Sequence, residues 1–492
     1  MSIRDANVVV IEVSRTSIRA GIGLHDLLKT PAVEFPARVG IRRDASTNVE
    51  EKMASTSRAG SMFPQRSIAK AAVKDYLVGQ HLDDALARGE DLIISYPFAE
   101  GDISDFTQAE AIWKHILFTH LQRRRLQNES PVLLSIFSGL ARTTYERICQ
   151  VFFERFNVAG FGILERPMAQ LYAANNLSGV VVDVGEEFTD ISPIYDGYIV
   201  HPACTSVPIG TKHCENYLAN ILKANQGVVN ALSPADNPLD PETLHQTLLS
   251  LVSQMVKDDL IKVPSDGETA APEDEGVTDI AAVVVAGREK AVIESGMKKK
   301  ANAKASAADQ ARAREIELLD LIEVKFGDHT LTIGKERHRL CEPLFDPSLL
   351  NGVYGIQDFG KEKVLSLQYM VGHAIGQTEI EQRQYIWQGL LITGEVTRHV
   401  KGVGIALQSR VAPFIINPEI STDIQPRSTR VLNVPDFFAE YRETGNGYAA
   451  FLGSSITAKI IFAESSGTNF VSKADYTVGG PHSIIEKTPA LL

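Results

Sequence analysis

GVVVDVGEEFTDISPIYDG, residues 179–197, is the stretch of this 492-residue chain that decides its fold. An apolar run over residues 180–182 leads into Asp183-Val184-Gly185, and a second apolar-patterned run returns through Phe188 and Ile191. A strand, a tight turn and a return strand form a β-hairpin, and the backbone N–H groups of such a turn can wrap a phosphate tail. The stretch therefore predicts a hairpin with the carboxylate of Asp183 at its tip.

A weaker copy of this pattern lies near the N-terminus. Residues 8–22 read VVVIEVSRTSIRAGI, and Glu12 stands where Asp183 stands in the first stretch. The two acids are 171 residues apart (183 − 12). A hairpin repeated at this spacing predicts two related lobes with a cleft between them, and a chain of 492 residues is also too long for one ordinary hydrophobic core.

Composition narrows the class of protein. A hydrophobic fraction of 44% with 22% charged residues is typical of a soluble globular protein. No apolar run approaches the roughly 20 residues that span a bilayer, so we expect no membrane partner. A net charge of −12 argues against the whole surface being a nucleic-acid platform, although local basic patches remain open. Cys149, Cys204, Cys214 and Cys341 show no CxxC spacing, which predicts reduced, buried thiols.

The chain alternates between ordered and polar segments. Strand and helix signals alternate over residues 92–174, with helices predicted over 112–121 and 143–156 and a short buried strand over 131–137. This alternation indicates an α/β fold with a partly parallel sheet. Residues 42–72 are polar and predict a mobile loop or small excursion. Residues 265–279 hold six acids and no base, which indicates a linker, and residues 288–317 are rich in alanine and lysine, which favours a solvated helix. We favour a surface insertion here over a docking site for a partner or DNA. The tail from residue 479 has the composition of a loop.

Six short segments of the chain follow one another in a recognisable order. They are FPARVG at 35–40, the regions 93–98 and 105–117, PVLL at 131–134, TIGKER at 332–337 and LFDPSL at 344–349. In sequence and order these segments resemble actin and the actin-related proteins, and the resemblance covers most of the chain. The resemblance implies an α/β actin-like fold in which two ribonuclease-H-like lobes surround a nucleotide cleft. It places residues 1–173 with 448–492 in lobe one, including a small polar excursion at 34–74. Residues 174–447 form lobe two, and residues 265–317 are a linker and helical insertion.

The first phosphate turn departs from the family pattern. The family has an acid followed by Asn-Gly-Ser-Gly, whereas this chain has Ser14 and Thr16 in place of the two glycines after Glu12. Glycines let backbone N–H groups approach a phosphate and adopt positive φ without strain, and a β-branched threonine is a poor choice for a left-handed position. The resemblance places Arg19 where the family has a phosphate-contacting lysine, which keeps the charge but changes the shape.

The second turn is also altered. It keeps Asp183 and Gly185, but Glu187 stands where the family has a second glycine. A carboxylate about 4 Å from a phosphate costs roughly 4 kcal/mol at an effective dielectric near 20, and a micromolar site is worth only about 8 kcal/mol. The resemblance also places Arg166 and Asp190 at the glutamine and histidine that position the attacking water, and neither replacement would hold the water in the same way.

On the nucleoside side of the predicted pocket, the chain matches the family pattern only in part. Lys257 and Asp258 match the family's lysine–acid pair for the sugar and base, but Glu395 follows Gly394 where a glycine normally lies against the nucleoside. We therefore expect a degenerate nucleotide pocket with no catalytic residue and no metal, and ATP binding that is weak or absent. For the retained acids Glu12 and Asp183 we favour a role as turn residues kept for hairpin geometry alone.

The resemblance then implies a function. Decayed phosphate turns are typical of nuclear actin-related proteins, and the chain looks most like the fungal class found in SWI/SNF and RSC chromatin-remodelling complexes. We expect a non-catalytic structural subunit in the nucleus, paired with a second actin-related protein on a helical segment of the remodeller ATPase and reaching chromatin indirectly. One alternative is a cytoskeletal, dynactin-type protein. Another is an actin-like ATPase with an atypical pocket.

Overall fold

The computed structural model describes residues 7–23, 29–43, 49–51, 64–68, 71–234, 238–264, 320–356, 364–415, 428–463 and 467–488. The predicted acidic linker at 265–279 and helical insertion at 288–317 lie outside these residues. Alternating strands and helices build two large sheets and several small ones, so the predicted α/β class is confirmed.

The first large sheet is built around the hairpin of Val9–Val13 and Ser17–Ile22, which begins near the N-terminus. Val9–Val13 also pairs in parallel with Pro131–Ile136, so the hairpin lies inside the sheet rather than at its edge. The order of the six strands is Val471–Ser472, Gly160–Glu165, Pro131–Ile136, Val9–Val13, Ser17–Ile22 and Val33–Pro36. The predicted strand at 131–137 is therefore a central strand of this sheet.

The second large sheet repeats this plan. Its hairpin is Gly179–Val184 with Thr189–Tyr195, and Gly179–Val184 pairs in parallel with Gly389–Thr393. The strand order is Tyr198–Ile199, Thr189–Tyr195, Gly179–Val184, Gly389–Thr393 and Arg430–Leu432, with Thr205–Val207 pairing to Thr189–Tyr195. Glu12 faces Arg19 across the first hairpin, and Asp183 faces Asp190 across the second. The internal repeat read from the sequence thus holds at the level of strand register.

Helices cover both sheets and join them. Their bounds are Gln80–Ala87, Phe106–Lys114, Arg142–Gln150, Arg166–Ala173, Thr211–Lys223, Gln226–Leu232, Pro241–Lys257, Glu342–Phe345, Leu367–Gly376, Ile380–Trp387, Val396–His399, Val403–Ile415, Ala449–Ala463, Lys473–Gly479 and Ser483–Lys487. Each large sheet has its own buried cluster of apolar side chains. A third cluster combines Val10 and Leu133 of the first sheet with Val181 and Leu391 of the second, so apolar packing connects the two halves.

The helices Arg166–Ala173 and Ala449–Ala463 cross closely within this connecting cluster. A Cβ atom at Gly453 would overlap the carbonyl group of Ala169, so the crossing requires glycine. The strand Val471–Ser472, close to the C-terminus, completes the first sheet. The lobe boundaries themselves, 1–173 with 448–492 and 174–447, stay a prediction.

The remaining strands form small sheets. These are Val39–Arg42 with Leu77–Val78 and Leu92–Ser95, Val49–Glu51 with Arg66–Ile68, and Ile322–Phe326 with His329–Ile333. The polar excursion at 42–72 thus includes a two-stranded sheet, so a loop alone is too simple a description. Short 3₁₀ turns lie at Val73–Asp75, Arg125–Gln127, His201–Ala203, Lys335–Arg339, Pro347–Leu350, Ala439–Tyr441 and Gly480–His482.

Two features differ from the sequence-based expectation. Helices predicted over 112–121 and 143–156 continue past their α-helical parts as π-helical turns, His115–His120 and Val151–Arg155. The tail expected to be loop-like contains a helix, Ser483–Lys487, whose Ile484 and Ile485 are buried in the first sheet's core. Among the described helices, none combines the length and apolar character needed to cross a membrane.

The four cysteines are free thiols. Cys149, Cys214 and Cys341 are buried as predicted, whereas Cys204 is only half-buried. Burial raises the pKa of the Cys149 and Cys341 thiols to about 12, which keeps them protonated and unreactive at neutral pH.

Candidate functional site

The two hairpin turns face a common cavity of about 390 Å³, which lies at the low end of the roughly 300–1,000 Å³ of small-molecule sites. The residues that line it and were predicted from the sequence are Ser14, Thr16, Arg19, Arg166, Asp183, Gly185, Asp190, Gly394 and Glu395. Glu12 lies just behind this lining and is 1% exposed. The structure therefore brings most of the predicted pocket to one place.

Hydrogen bonds of Ser14 close the first turn. The Ser14 backbone N–H donates to the Ser17 carbonyl oxygen at 2.9 Å. The Ser14 hydroxyl accepts the Ser17 N–H at 3.0 Å and contacts the Ser17 hydroxyl at 2.8 Å. Ser14 thus closes the turn from both its backbone and its side chain.

The expectation that Thr16 occupies a strained left-handed position is wrong. Ser14, Arg15 and Thr16 all lack positive φ, so this turn does not need the glycines that the family has there. The Thr16 carbonyl oxygen accepts the Ala37 N–H at 2.8 Å, which attaches the FPARVG segment to the turn.

The second turn depends on close backbone packing at two glycines. The Gly185 N–H donates to the Phe188 carbonyl oxygen at 2.9 Å, and a Cβ at Gly185 would crowd that same oxygen. Gly394 has φ of +100°, and a Cβ there would overlap the carbonyl group of Val184. The N-terminal N–H groups of helix Thr211–Lys223 also bind this turn, because Thr211 donates to the Gly185 carbonyl and Lys212 to that of Glu186, both at 2.9 Å.

Arg19 is the centre of a buried ion-pair cluster. Its guanidinium binds Glu12 at 3.3 Å, Glu34 at 2.7 Å and Glu395 at 3.0 Å, and only 4% of its side chain is exposed. Burial lowers the pKa of Arg19, but the charges of Glu12, Glu34 and Glu395 outweigh this effect and leave the pKa above its usual range. Arg19, which the resemblance places at the family's phosphate-contacting lysine, therefore binds three carboxylates of its own chain.

A second layer of contacts surrounds Arg19. The Tyr448 hydroxyl donates to Glu34 at 2.7 Å, and the ring of Tyr448 lies under both Arg19 and Arg398, 5.0 and 4.7 Å from their guanidinium carbons. Arg398 also binds Glu395 at 3.3 Å and Glu34 at 3.5 Å. Glu395 and Arg398 follow the second sheet's strand Gly389–Thr393, so the cluster joins the two halves of the molecule.

Arg166 bridges the two hairpins directly. Its Nε donates to Glu12 Oε1 at 3.0 Å, and its terminal nitrogen forms an ion pair with Asp183. Burial lowers the pKa of Arg166, and the charge of Glu12 opposes that change. Arg166, which the resemblance places at the family's water-positioning glutamine, therefore connects the two turn carboxylates.

Asp190 is paired in a similar way. Arg15, at the tip of the first turn, donates to both of its carboxylate oxygens at 2.9 and 2.8 Å, and the Ser206 hydroxyl donates to it at 2.7 Å. Burial raises the pKa of Asp190, but Arg15 and Ser206 outweigh it and hold the pKa below its usual range. Asp190, which the resemblance places at the family's histidine, is therefore an acceptor for Arg15.

Three predicted residues lie away from the cavity lining. Lys257 and Asp258 are exposed at the C-terminal end of helix Pro241–Lys257, where Gln254 donates to the Asp258 carboxylate at 3.3 Å. Glu187 is 6% exposed, and its charge, with those of Asp190 and Glu100, raises the pKa of Arg15 against the lowering effect of burial. Glu187 therefore acts on the cleft through Arg15 rather than by lining it.

The sequence reading missed four members of the site: Arg15, Glu34, Arg398 and Tyr448. Glu34 directly precedes the FPARVG segment, and its strand pairs with the strand of Arg19, so that proximity was available as a signal. Arg398 and Tyr448 are hundreds of residues from Arg19 in sequence, and only the fold brings them together.

The chemistry of the site is dominated by paired charges. The guanidinium groups of Arg15, Arg19, Arg166 and Arg398 all bind carboxylates of this chain. No group of histidine, cysteine or acidic side chains within the described residues has the arrangement of a metal site. A triphosphate entering this cavity would have to displace existing ion pairs and face the carboxylates of Glu34 and Glu395.

The actin family matches residues 3–489 of this chain. The chain belongs to the actin family. This confirms the resemblance read from the short segments and, with it, the actin-like fold. The chain is similar to the SWI/SNF and RSC complexes subunit arp9 of Schizosaccharomyces pombe, with 24% identity over 99% of both chains. It is also similar to actin-related protein 7 of Oryza sativa, from both the indica and japonica subspecies, with 23% identity over 80% of this chain and 85% of each relative.

The first of these relatives agrees with the expected subclass. The sequence analysis expected the fungal class found in SWI/SNF and RSC complexes, and the relative from Schizosaccharomyces pombe is named as a subunit of those complexes. Both named relatives are actin-related proteins, as the sequence reading expected for this chain.

Proposed function

We propose that this chain is a non-catalytic structural subunit of a chromatin-remodelling complex and works in the nucleus. The observation that carries the proposal is the ion-pair cluster of Arg19 and Arg166. Carboxylates of this chain bind both guanidinium groups, so neither group is available to a phosphate unless an ion pair is broken. The name of the relative from Schizosaccharomyces pombe supports the choice of complex. In this role the actin fold is a rigid platform for partners.

The finer proposal concerns the partners. The chain pairs with a second actin-related protein, and the pair binds a helical segment of the remodeller ATPase, so chromatin is contacted indirectly. This part rests on the resemblance to the fungal nuclear class. It requires a body whose two halves keep a fixed relation, and the contacts of Arg19 with Glu395 and of Arg166 with Asp183 favour that rigidity.

The proposal includes weak or absent ATP binding and no hydrolysis. In-line attack needs a positioned water, and Arg166 and Asp190 are committed to ion pairs at the positions where the family holds it. Removing one member of a buried ion pair costs about 3–5 kcal/mol, a large part of the roughly 8 kcal/mol of a micromolar site. A nucleotide that broke these pairs would lose much of its binding free energy.

The first test is purification of the tagged chain from its own cells under gentle salt, followed by identification of stoichiometric partners. Recovery of a SWI/SNF-type ATPase with a second actin-related protein is the expected result. Recovery of dynactin subunits would instead support the cytoskeletal alternative and contradict the proposal.

The second test is a titration of the purified chain with Mg-ATP. Binding is measured by calorimetry and by the shift in the thermal unfolding temperature. A ligand at 100 times its Kd stabilises the folded state by about 2.7 kcal/mol, so binding would be visible as a rise in Tm. We expect no rise at millimolar Mg-ATP. The variant R19K/E395G, which restores the residue types of the family at two positions, is the matched control. Submicromolar binding or turnover by the unaltered chain would establish the ATPase alternative.

A further inference from the structure

A groove on the first half of the molecule, remote from the hairpin turns in sequence, has a volume of about 620 Å³. Its walls are the turn Val73–Asp75, the helix Phe106–Lys114, the helix Arg142–Gln150 and the π-helical turn Val151–Arg155. Phe106 and Val151 are among its apolar lining residues, and the Arg147 guanidinium lies 4.0 Å from the centre of the Phe106 ring. The groove is larger than the cavity between the two turns.

Positive charge is concentrated around this groove. Lys74, Lys114, Arg147 and Arg155 line it and are exposed, against the two carboxylates of Glu110 and Glu154. The chain as a whole carries a net charge of −12, so this face has the opposite sign to the protein's overall field. Such a local reversal of sign favours an acidic partner.

The two acids in the groove do not neutralise it. Glu154 accepts hydrogen bonds from the Tyr476 hydroxyl at 2.9 Å and from the Gln150 amide at 3.1 Å. Glu110 is half-buried and forms a long ion pair with Arg155 at 4.0 Å, and the charges of Lys114 and Arg125 also act on it. No carboxylate of the described residues forms an ion pair with the ammonium groups of Lys74 or Lys114.

A run of three arginines extends the basic surface beyond the groove. Arg125 donates to the Glu154 carbonyl oxygen at 3.0 Å, which places this arginine at the groove's end. The side chains of Arg124 and Arg125 are exposed. Leu126 follows them and is 93% exposed, so an apolar anchor point lies beside the cations.

We propose that this basic groove binds an acidic polypeptide segment of a partner protein. A concave channel between helices fits a single polypeptide chain, whereas a DNA duplex is convex and presents phosphates without interruption. Glu110 and Glu154 stand among the cations and repel a continuous phosphate backbone, but a peptide can place a neutral or basic residue opposite them. Leu126 and Phe106 provide apolar contacts of the kind that anchor peptides.

The test measures binding of the full chain to a fluorescein-labelled peptide of repeated Glu-Glu-Leu by fluorescence anisotropy. We compare the groove variant K114E/R155E with the control variant K325E/K335E, which makes the same charge change at two exposed lysines beyond residue 320. We expect the unaltered chain to bind the peptide, the groove variant to bind at least tenfold more weakly, and the control to change less than twofold. Circular dichroism verifies that both variants are folded.

Two further probes separate charge from peptide character. A peptide with Gln in place of Glu should bind at least tenfold more weakly, and added salt should weaken the acidic peptide because exposed charges are screened. A labelled DNA duplex should bind more weakly than the acidic peptide at equal salt. Equal losses in the groove and control variants would overturn the proposal, as would DNA binding that is tighter than peptide binding and lost in K114E/R155E.

Discussion

The two hairpin turns share a backbone and differ in their chemistry. The Ser14 N–H donates to the Ser17 carbonyl and the Gly185 N–H to the Phe188 carbonyl, each at 2.9 Å, and these residues correspond at the repeat offset. The first turn adds side-chain hydrogen bonds from Ser14, while the second depends on close glycine packing and on the N-terminus of a helix. The same backbone turn is therefore compatible with two different sets of side chains.

The charges across the two hairpins explain why the halves are joined. Glu12 faces Arg19 in the first hairpin, which is a favourable cross-strand pair, whereas Asp183 faces Asp190 in the second, which is a repulsive one. Arg166 and Arg15 neutralise the second pair, and Arg15 belongs to the first turn. The second hairpin therefore depends on cations outside itself, some of them supplied by the first.

The largest effect should come from removing Arg166. The change R166A leaves Glu12 and Asp183 buried without their shared cation, and we expect the free energy of unfolding to fall by about 3–5 kcal/mol in urea denaturation. The control R398A removes an arginine whose side chain is 29% exposed and should cost less than about 1 kcal/mol. The combined variant E12Q/R166M/D183N, which removes the charges together, should recover much of the loss. Equal losses in R166A and R398A would show that the Arg166 bridge between the hairpins stabilises the fold no more than a partly exposed ion pair does.

A smaller effect on the free energy of unfolding should come from a change of pH, through a glutamate near the second turn. Burial, with a smaller contribution from the charge of Glu186, raises the pKa of Glu215 to about 7, and Glu215 lies on the helix that binds this turn. The folded state then holds a proton that the unfolded state releases near pH 4.5, so this contribution to stability is complete below pH 4.5 and lost as the pH rises to about 7.

Urea denaturation between these pH values measures that effect. We expect the free energy of unfolding to fall by about 2 kcal/mol over the interval, and to fall less in E215Q, which cannot ionise. Because the first turn is held by Ser14 and paired charges, no comparable slope is expected from it. If E215Q had the same pH dependence of stability as the unaltered chain, Glu215 would not be the origin of that dependence.

The sequence predicted the hairpins better than it predicted their surroundings. Alternating apolar residues around a short polar turn determine a hairpin locally, which is why both hairpins and their offset were found. The ion pairs of Arg19 with Glu395 and of Arg166 with Glu12 join residues far apart in the chain, and no local pattern encodes them. Thr16 was expected to be strained because the family's glycine geometry was assumed, whereas this chain closes the turn without positive φ.

The smallest effect should come from the serine that distinguishes the first turn. The change S14A removes the hydroxyl that accepts the Ser17 N–H at 3.0 Å but keeps the backbone bond that the two turns share. We expect a loss of about 1 kcal/mol in the free energy of unfolding, as for a typical hydrogen bond. The control S409A removes an exposed hydroxyl on helix Val403–Ile415 and should cost less than about 0.5 kcal/mol. A loss in S14A no larger than in S409A would mean that the backbone alone holds the first turn, as it does the second, and the chemical difference between the turns would then lie only in their charges.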